Sequence, residues 1–317
     1  MGNSSCCSNS QATARDEIKG SLQLSRCPST TSCRSDALDP SLTNESSKFQ
    51  NGSQSARKAS KTVRFIWNSS ELLAKSDGVS EPVSLPTLVL ENGTVYKGEW
   101  LNRKRHGKGR LLWLDGSVYT GEWCNDRAHG KGSMVLANGD EYEGAWKNDV
   151  ADGFGVYKKK NGITYEGEFK EDLPHGKGKE IWADGTCYEG EFVRGKKQGQ
   201  GVLKFFDGSV YTGSFRDNEM EGFGEFIWVD KRKYVGAWRR NKMNGRGKMF
   251  WPDGKKYEGN YLEDKKYGYG VLYWPDGKTY QGTWREDMQH GEGFLISTNG
   301  KKRKGAWKDG IRVKWLE

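Results

Sequence analysis

The sequence predicts an all-β protein: an elongated single-layer antiparallel β-meander of tandem 23-residue hairpin repeats, preceded by a disordered tail. The first observation is a sequence motif of the type Tyr-x-Gly-x-aromatic, which recurs nine times at intervals of 23 residues without an insertion or deletion. A fixed short period is typical of a repeat array, which grows in one dimension. The copies begin at Tyr96, Tyr119, Tyr142, Tyr165, Tyr188, Tyr211, Tyr234, Tyr257 and Tyr280.

The second observation is the alternation of side chains within each unit. Tyr119, Gly121 and Trp123 share one face of an expected strand, whereas Thr120 and Glu122 share the other. The third observation is turn chemistry, because Asn-Gly or Asp-Gly closes every unit but one and such pairs are strong hairpin signals. We therefore expect tight turns along this edge, five-residue loops along the other edge, and no room for helices.

Taken in chain order, residues 1–85 are rich in Ser, Thr and Asn and poor in large apolar side chains, so we expect a disordered tail. Gly2 is the expected myristoyl acceptor, although the simple pattern has Ser or Thr where Cys6 stands. Cys6 and Cys7 are the expected palmitoyl acceptors, since one myristoyl chain binds membranes with only ~10⁴ M⁻¹. The alternative is an ordinary Ser-rich start with two idle cysteines.

Within the tail, residues 46–70 hold five basic residues and no acidic residue, with aromatic rings among them. Such a composition suits anionic headgroups, and a solvated linker is the alternative. Ser60 follows Arg57-Lys58-Ala59, which resembles a basophilic kinase site, and a phosphate there would weaken membrane contact. The expected membrane-binding residues are Arg57, Lys58, Lys61, Arg64, Phe65 and Trp67.

The repeat array is expected over residues 86–317, with a first strand at about 87–90. Glycines fall on the strands themselves, which weakens a strand unless something large must approach closely. We expect the rings of Trp100 and Trp113 to lie across this bare backbone, with cross-strand aromatic pairs as the stabilising unit.

The pattern Tyr-x-Gly-x-Trp, six variable residues, then Gly-x-Gly resembles the MORN (membrane occupation and recognition nexus) repeat over about residues 91–307. The resemblance implies a β-ribbon that binds or scaffolds, often at membranes. The family also includes modules of lipid kinases and of a protein methyltransferase, but the chain holds neither sequence. The third copy departs from the pattern at Lys158-Lys159-Lys160, and the partial tenth copy has Arg303 in place of Tyr. The strand expected at 311–315 alternates apolar and basic residues and is interpreted as a cap.

The sequence offers no catalytic, metal or cofactor site. All four histidines, His106, His129, His175 and His290, occupy one repeat position that other copies fill with Asp, Gln, Glu, Asn or Tyr, which indicates a loop-capping role. They lie at least one repeat apart, too far for a shared metal. The net charge of +9 favours anionic surfaces, and it is too diluted by acidic residues to indicate nucleic acid.

One asymmetry between copies is a basic stripe on the turn edge of the C-terminal third. We expect it to contact anionic lipid or an acidic partner, and a solubilising edge is the alternative. Its ten residues are Lys231, Arg232, Lys233, Lys255, Lys256, Lys278, Lys301, Lys302, Arg303 and Lys304.

The main hypothesis is a non-enzymatic scaffold, acylated and held on the cytoplasmic leaflet, which binds proteins or anionic lipids through its ribbon. No apolar run reaches the ~18 residues of a membrane span, and the six cysteines form no disulfide framework. One alternative is a module that regulates a phosphoinositide kinase in trans. Another is a cytoskeletal or ciliary component, with homodimerisation through an open ribbon end. The protein partner is not named by the sequence.

Overall fold

The computed structural model describes residues 69–316, which form one short helix and a single sheet of 21 strands. Each strand pairs antiparallel with the next one along the chain, from the first to the last. The predicted antiparallel meander is therefore confirmed.

The elements are numbered in chain order. They are α1 Ser69–Ala74, β1 Val83–Val89, β2 Val95–Leu101, β3 Lys104–Leu112, β4 Val118–Cys124, β5 Arg127–Val135, β6 Glu141–Lys147, β7 Val150–Lys158, β8 Thr164–Lys170, β9 Leu173–Ile181, β10 Cys187–Val193, β11 Lys196–Lys204, β12 Val210–Arg216, β13 Glu219–Ile227, β14 Lys233–Arg239, β15 Lys242–Phe250, β16 Lys256–Leu262, β17 Lys265–Tyr273, β18 Thr279–Arg285, β19 Met288–Ile296, β20 Lys302–Lys308 and β21 Ile311–Trp315.

Within residues 69–316, secondary structure is present on the N-terminal side of residue 85. Helix α1 and strand β1 both start before it, and the segment between them is tied to the first hairpin. Asn102 N donates to Ser76 O at 2.8 Å, and Arg103 N donates to Ser76 Oγ at 2.9 Å. Asp77 forms an ion pair with Arg103 at 2.6 Å. These hydrogen bonds and the burial of Leu72, which is 5% exposed and belongs to the hydrophobic core, hold this segment on the array.

The turns on one edge differ from the prediction, whereas those on the other edge are tight, as expected. Strands β4 and β5 are joined by only Asn125 and Asp126, which both have positive φ, at 50° and 70°, so the predicted five-residue loops are wrong. On the other edge Trp113 N donates to Ser117 O at 2.9 Å, which leaves a three-residue loop with Gly116 at φ 92°. Asn and Asp tolerate positive φ, so two-residue hairpins form without glycine there.

The ring that lies on the strand glycines is tyrosine, which corrects the expectation for Trp100. A Cβ built on Gly98 would lie 2.5 Å from Gly109 Cα, and one on Gly109 would lie 2.1 Å from Tyr96 Oη. The tyrosine hydroxyl also donates to Glu99 O at 3.1 Å. The Tyr96 ring therefore packs against the backbone of both glycines, where a side chain would clash with it. The same arrangement recurs along the array.

The tryptophan position stacks the repeats on one another. Trp123 stands edge-on to Tyr119 at 5.0 Å and to Tyr96 of the preceding repeat at 5.5 Å between ring centroids. Its Nε1 donates to Gly109 O at 3.2 Å. Edge-to-face pairs of this kind are favourable beyond their buried area. The nine repeat tyrosines are 0–1% exposed, so the core is a continuous file of rings along one face of the sheet. That face is called the inner face below, and the opposite one the outer face.

A second contact between repeats uses the two-residue turns. Ala128 N donates to Asp149 Oδ1 at 2.7 Å, and Asp149 N donates to Ala128 O at 3.0 Å. Each such turn thus fastens to the strand of the repeat before it. The same pair of bonds is made by Asp126, Asp172, Asn218, Asn241, Asp264 and Asp287.

Candidate functional site

The predicted tail sites lie outside residues 69–316 and stay predictions. They are the acylation sites Gly2, Cys6 and Cys7, the kinase site Ser60, and the membrane-binding residues Arg57, Lys58, Lys61, Arg64, Phe65 and Trp67.

The histidine and glutamate positions meet at a strand irregularity. The register between β2 and β3 jumps from Gly98↔Gly109 to Trp100↔Arg105, so Glu99 alone faces three residues. Glu99 Oε2 accepts a hydrogen bond from Lys108 N at 2.7 Å, which gives this carboxylate a structural partner. The histidines lie on the strands at this irregularity rather than in loops. Across residues 69–316, no three His, Cys, Asp or Glu side chains are grouped as metal ligands.

The ten residues of the basic stripe are divided between the two faces of the sheet. Because side chains alternate along a strand, residues next to the inward tyrosines Tyr234, Tyr257 and Tyr280 point outward, and the next ones point inward again. Lys231 lies in the turn itself. Those on the outer face are Lys233, Lys256, Lys302 and Lys304, and those on the inner face are Arg232, Lys255, Lys278, Lys301 and Arg303.

On the outer face, lysines lie beside aromatic residues, in direct cross-strand register from Lys233 to Tyr273 and diagonally at Lys302, which is opposite Ile296. Lys256 pairs with Phe250 on one side and Tyr273 on the other, and its Nζ lies 5.7 Å and 5.3 Å from their ring centroids. Lys302 Nζ lies 3.9 Å from the Phe294 centroid. We call this set the lysine–aromatic row, and its members are Lys233, Phe250, Lys256, Tyr273, Phe294 and Lys302.

Acidic neighbours moderate this row without neutralising it. Lys233 pairs with Glu225 at 2.6 Å, and Lys256 pairs with Glu258 at 3.0 Å. Hydrogen bonds from Lys256 and Lys248 lower the pKa of Glu258, so this carboxylate stays charged through the physiological range. Lys302 has no acidic partner among the ion pairs of residues 69–316. Exposed pairs of this kind are worth about 0–1 kcal/mol, so these lysines can exchange partners.

On the inner face, rings and cations alternate across the three-residue loops. Trp251 N donates to Lys255 O at 2.9 Å, and Lys255 Nζ lies 4.6 Å from the Trp251 ring centroid. Arg232 Cζ lies 5.3 Å from the Trp228 centroid in the preceding repeat. The three rings are partly exposed. We call this set the ring–cation ladder, and its members are Trp228, Arg232, Trp251, Lys255, Trp274 and Lys278.

The C-terminal end of the inner face carries a different cluster. Arg303 takes the place of the repeat tyrosine, and its Cζ lies 3.9 Å from the Trp315 ring centroid. Arg312 Cζ lies 4.1 Å from the same ring. Trp315 in turn stands edge-on to Trp307 at 6.4 Å, so these side chains close the file of core rings. The interpretation of the last strand as a cap stays a prediction.

Sequence reasoning did not single out Phe250, Tyr273 and Phe294, although they lie beside the stripe. Trp228, Trp251 and Trp274 stand at the repeat position of Trp113, for which only a packing role was expected. For Phe250 and Tyr273 a signal was present, because the last residue of the second strand is apolar in seven of the nine units: Leu112, Val135, Ile181, Ile227, Phe250, Tyr273 and Ile296.

No helix within residues 69–316 is long and apolar enough to cross a membrane. No curated protein sequence matches the chain. Among solved structures, the TCP10 domain of Danio rerio CPAP in complex with a peptide of Danio rerio STIL is 13% identical, with a TM-score of 0.41 over 75% of this chain and 99% of that one. The wild-type TCP10 domain of Danio rerio CPAP is also 13% identical, with a TM-score of 0.37 over 68% and 96%.

The family comparison covers most of the repeat array. The profile of the MORN repeat matches nine consecutive segments, namely residues 96–118, 119–141, 142–164, 165–187, 188–210, 211–231, 234–256, 257–279 and 280–302. These segments coincide with the hairpin units, each of which begins at the buried tyrosine that seats on two strand glycines. The chain therefore belongs to the MORN repeat family.

Proposed function

We propose that this protein is a non-enzymatic scaffold at the cytoplasmic face of a membrane, where an acylated tail anchors it and its repeat array contacts anionic lipid. A MORN array is a repeat protein of the scaffold type. The rings and glycines that recur in every repeat are buried in the core. Residues that differ between copies are therefore the ones available for binding.

The lysine–aromatic row is the observation that carries the proposal. Aromatic rings and basic residues together suit the headgroup region, at about 1 kcal/mol per basic residue near an anionic leaflet. Tyr273 is 39% exposed beside Lys256, and Phe250 lies on the other side of that lysine. The row therefore presents cations for the anionic headgroups and rings for the apolar part of a membrane surface.

Vesicle binding tests the row separately from the anchor. The full chain, made without acylation, should bind phosphatidylserine–phosphatidylcholine vesicles and not phosphatidylcholine alone. Lys233→Glu/Lys256→Glu/Lys302→Glu should weaken this binding roughly 100-fold or more, since three favourable contacts become repulsive. Sedimentation with vesicles measures the partition.

A matched control separates the row from net charge. Lys97→Glu/Lys108→Glu/Lys131→Glu makes the same charge change at exposed outer-face positions of the first repeats. It should alter vesicle binding by no more than about threefold, because these positions lack the aromatic neighbours. If both triple variants lost vesicle binding equally, net charge alone would explain the binding. If neither variant lost vesicle binding, lipid contact through this row would be refuted.

The anchor is tested by fractionation of cells. Gly2→Ala, and separately Cys6→Ser/Cys7→Ser, should move the protein from the membrane to the soluble fraction, because one lipid signal alone binds only marginally. Retention in a detergent-insoluble fraction would contradict the anchor and favour the cytoskeletal or ciliary alternative. Retention with loss of a phosphoinositide kinase's activation would favour the regulatory alternative.

A further inference from the structure

We infer that the ring–cation ladder binds an acidic, proline-rich segment of a partner protein in the polyproline II conformation. This rests on the proposed scaffold function and names the class of protein that such a scaffold would hold. The inner surface is distinct from the lysine–aromatic row, which lies on the opposite face of the sheet.

The rings of the ladder recur at nearly the repeat distance of a polyproline II helix. Trp228, Trp251 and Trp274 follow β13, β15 and β17, so successive rings are two strands, or about 9.6 Å, apart. A polyproline II helix rises ~3.1 Å per residue with three residues per turn, a repeat of about 9.3 Å. Across two intervals the mismatch stays below about 1 Å, so every third residue of such a segment can meet an equivalent ring.

The chemistry of the rings also suits a polyproline II segment. Polyproline II segments dock on grooves lined by aromatic side chains, because their conformation is preformed and little entropy is lost. The three ladder rings are partly exposed. Apolar side chains two residues earlier on the same strands, Phe226, Met249 and Leu272, lie beside the rings on the inner face, and Phe226 lies 4.5 Å from Trp228 between centroids. The ladder therefore offers apolar contact at each ring position.

A cation lies between each pair of successive rings in the ladder. Arg232 leads into β14, which lies between β13 and β15, so this cation stands between Trp228 and Trp251. Lys255 has the corresponding place between Trp251 and Trp274. One cation per interval matches one carboxylate in every three residues of the bound segment. An acidic sequence of the type Pro-Pro-Glu thus fits both the rings and the charges.

Existing ion pairs leave these cations available. Arg232 pairs with Asp230 at 2.7 Å, and Lys278 pairs with Asp276 at 2.7 Å. The bonds from Lys278 lower the pKa of Asp276, which therefore stays charged. The pairs are exposed and worth about 0–1 kcal/mol each, so carboxylates of a bound segment can displace them.

The ladder has defined limits along the array. Towards the N-terminus, Trp182 and Phe205 continue the rings, but Thr186 and Ser209 stand in the cation positions. Towards the C-terminus, Ser297 replaces the ring. Three rings with three cations occupy five strand spacings, about 24 Å, which corresponds to roughly eight residues of polyproline II chain.

Peptide titration of the purified full chain tests the inference. The probe is an acetylated, amidated peptide with four copies of Pro-Pro-Glu, and calorimetry measures its affinity. Trp251→Ala and Lys255→Glu should each weaken binding about tenfold or more, as expected for a central ring and its neighbouring charge. Trp251→Leu gives a second variant that keeps an apolar side chain, so loss there is not due to unfolding. Trp113→Ala removes an equivalent ring in the first repeat and should leave the affinity unchanged.

Three outcomes would overturn the inference. Equal affinity for four copies of Gly-Gly-Glu would mean that charge alone is recognised, and equal loss with Trp113→Ala would mean that the ladder is not the site. Competition by phosphatidylserine vesicles, lost in Lys255→Glu, would assign the ladder to lipid instead of a protein segment. The variant Lys233→Glu/Lys256→Glu/Lys302→Glu should keep its affinity for the peptide. Peptide titration therefore tests the ladder, and vesicle binding separately tests the proposed lipid contact.

Discussion

At the scale of single residues, the turn aspartates combine conformational and electrostatic demands. Asp172 has φ 66° and is 6% exposed, and its Oδ1 accepts a hydrogen bond from Ala151 N at 2.7 Å. Burial raises the pKa of Asp172 to about 6, and the bond from Ala151 opposes this only in part. At the same position Asn218 and Asn241 make the same bond without a charge.

We predict that Asp172→Asn stabilises the protein at neutral pH by roughly 1–2 kcal/mol. The folded-state pKa lies above the unfolded value, so the stability that protonation provides is present below the unfolded pKa and is lost as pH rises through about 6. The amide keeps the acceptor and cannot ionise. Urea unfolding at pH 4, 5, 6 and 7.5 should show the gain growing with pH.

A control makes the same chemical change on an exposed position. Asp287 forms the equivalent bond with Lys266 N, and its side chain is 50% exposed beside the ammonium group of Lys266. Asp287→Asn should give no gain in stability at pH 7.5, because this exposed carboxylate is solvated and paired with the ammonium group of Lys266. A constant difference between Asp172→Asn and the parent at all four pH values would contradict the burial argument.

At the scale of the element, the hairpin is built around close backbone contact at two glycines. Tyr119 lies on Gly121 and Gly132, and a Cβ on Gly121 would lie 2.5 Å from Gly132 Cα and 2.7 Å from Lys131 O. These neighbours are backbone atoms within a ladder of hydrogen bonds, so they cannot move aside. The tyrosine and the glycines are thus one structural unit in each repeat.

We predict that Gly121→Ala destabilises the protein by about 2–3 kcal/mol through this overpacking. Gly116→Ala is the comparison, because its Cβ meets nothing within 4 Å and only the φ of 92° opposes it. That strain costs about 1 kcal/mol. Thermal and urea unfolding of both variants give the order, and a smaller loss at Gly121 would show that the backbone contact can relax.

At the scale of the whole molecule, each repeat presents the same interface to its neighbours. Gly109 pairs with Gly121 between β3 and β4, as Gly132 pairs with Gly144 between β5 and β6. One complete unit can therefore be removed without a change of register. Stability of such arrays is close to a sum of units and their interfaces.

We predict that deletion of residues 119–141 yields a folded, shorter array. Joining Val118 to Tyr142 lets β6 replace β4 beside β3, with Asp149 taking the place of Asp126 at Arg105 N. The unfolding free energy should fall by on the order of a tenth. Circular dichroism and thermal unfolding measure this. Deletion of residues 119–130, half a unit, should abolish cooperative unfolding, and a similar outcome for both deletions would refute the modular account.

The sequence by itself determined most of the architecture. The 23-residue period, the alternation around Tyr119 and Trp123, and the absence of helical periodicity within the array led to the antiparallel meander. The same regularity separated repeated residues, which form the core, from variable ones, which are left for binding. Helix α1 was not predicted, because six residues are too few to show a helical period, and strand β1 begins at Val83, four residues before the predicted start at residue 87.

Only the tertiary structure decided which side chains share a face. A two-residue turn at Asp253-Gly254 would pair Trp251 with Lys256, whereas the observed three-residue loop pairs Trp251 with Lys255. A difference of one residue in a loop exchanges the faces of everything that follows, because side chains alternate with a period of two. That loop length places Trp251 on the face of Lys255 and Phe250 on the face of Lys256, so it decides which rings accompany each half of the basic stripe.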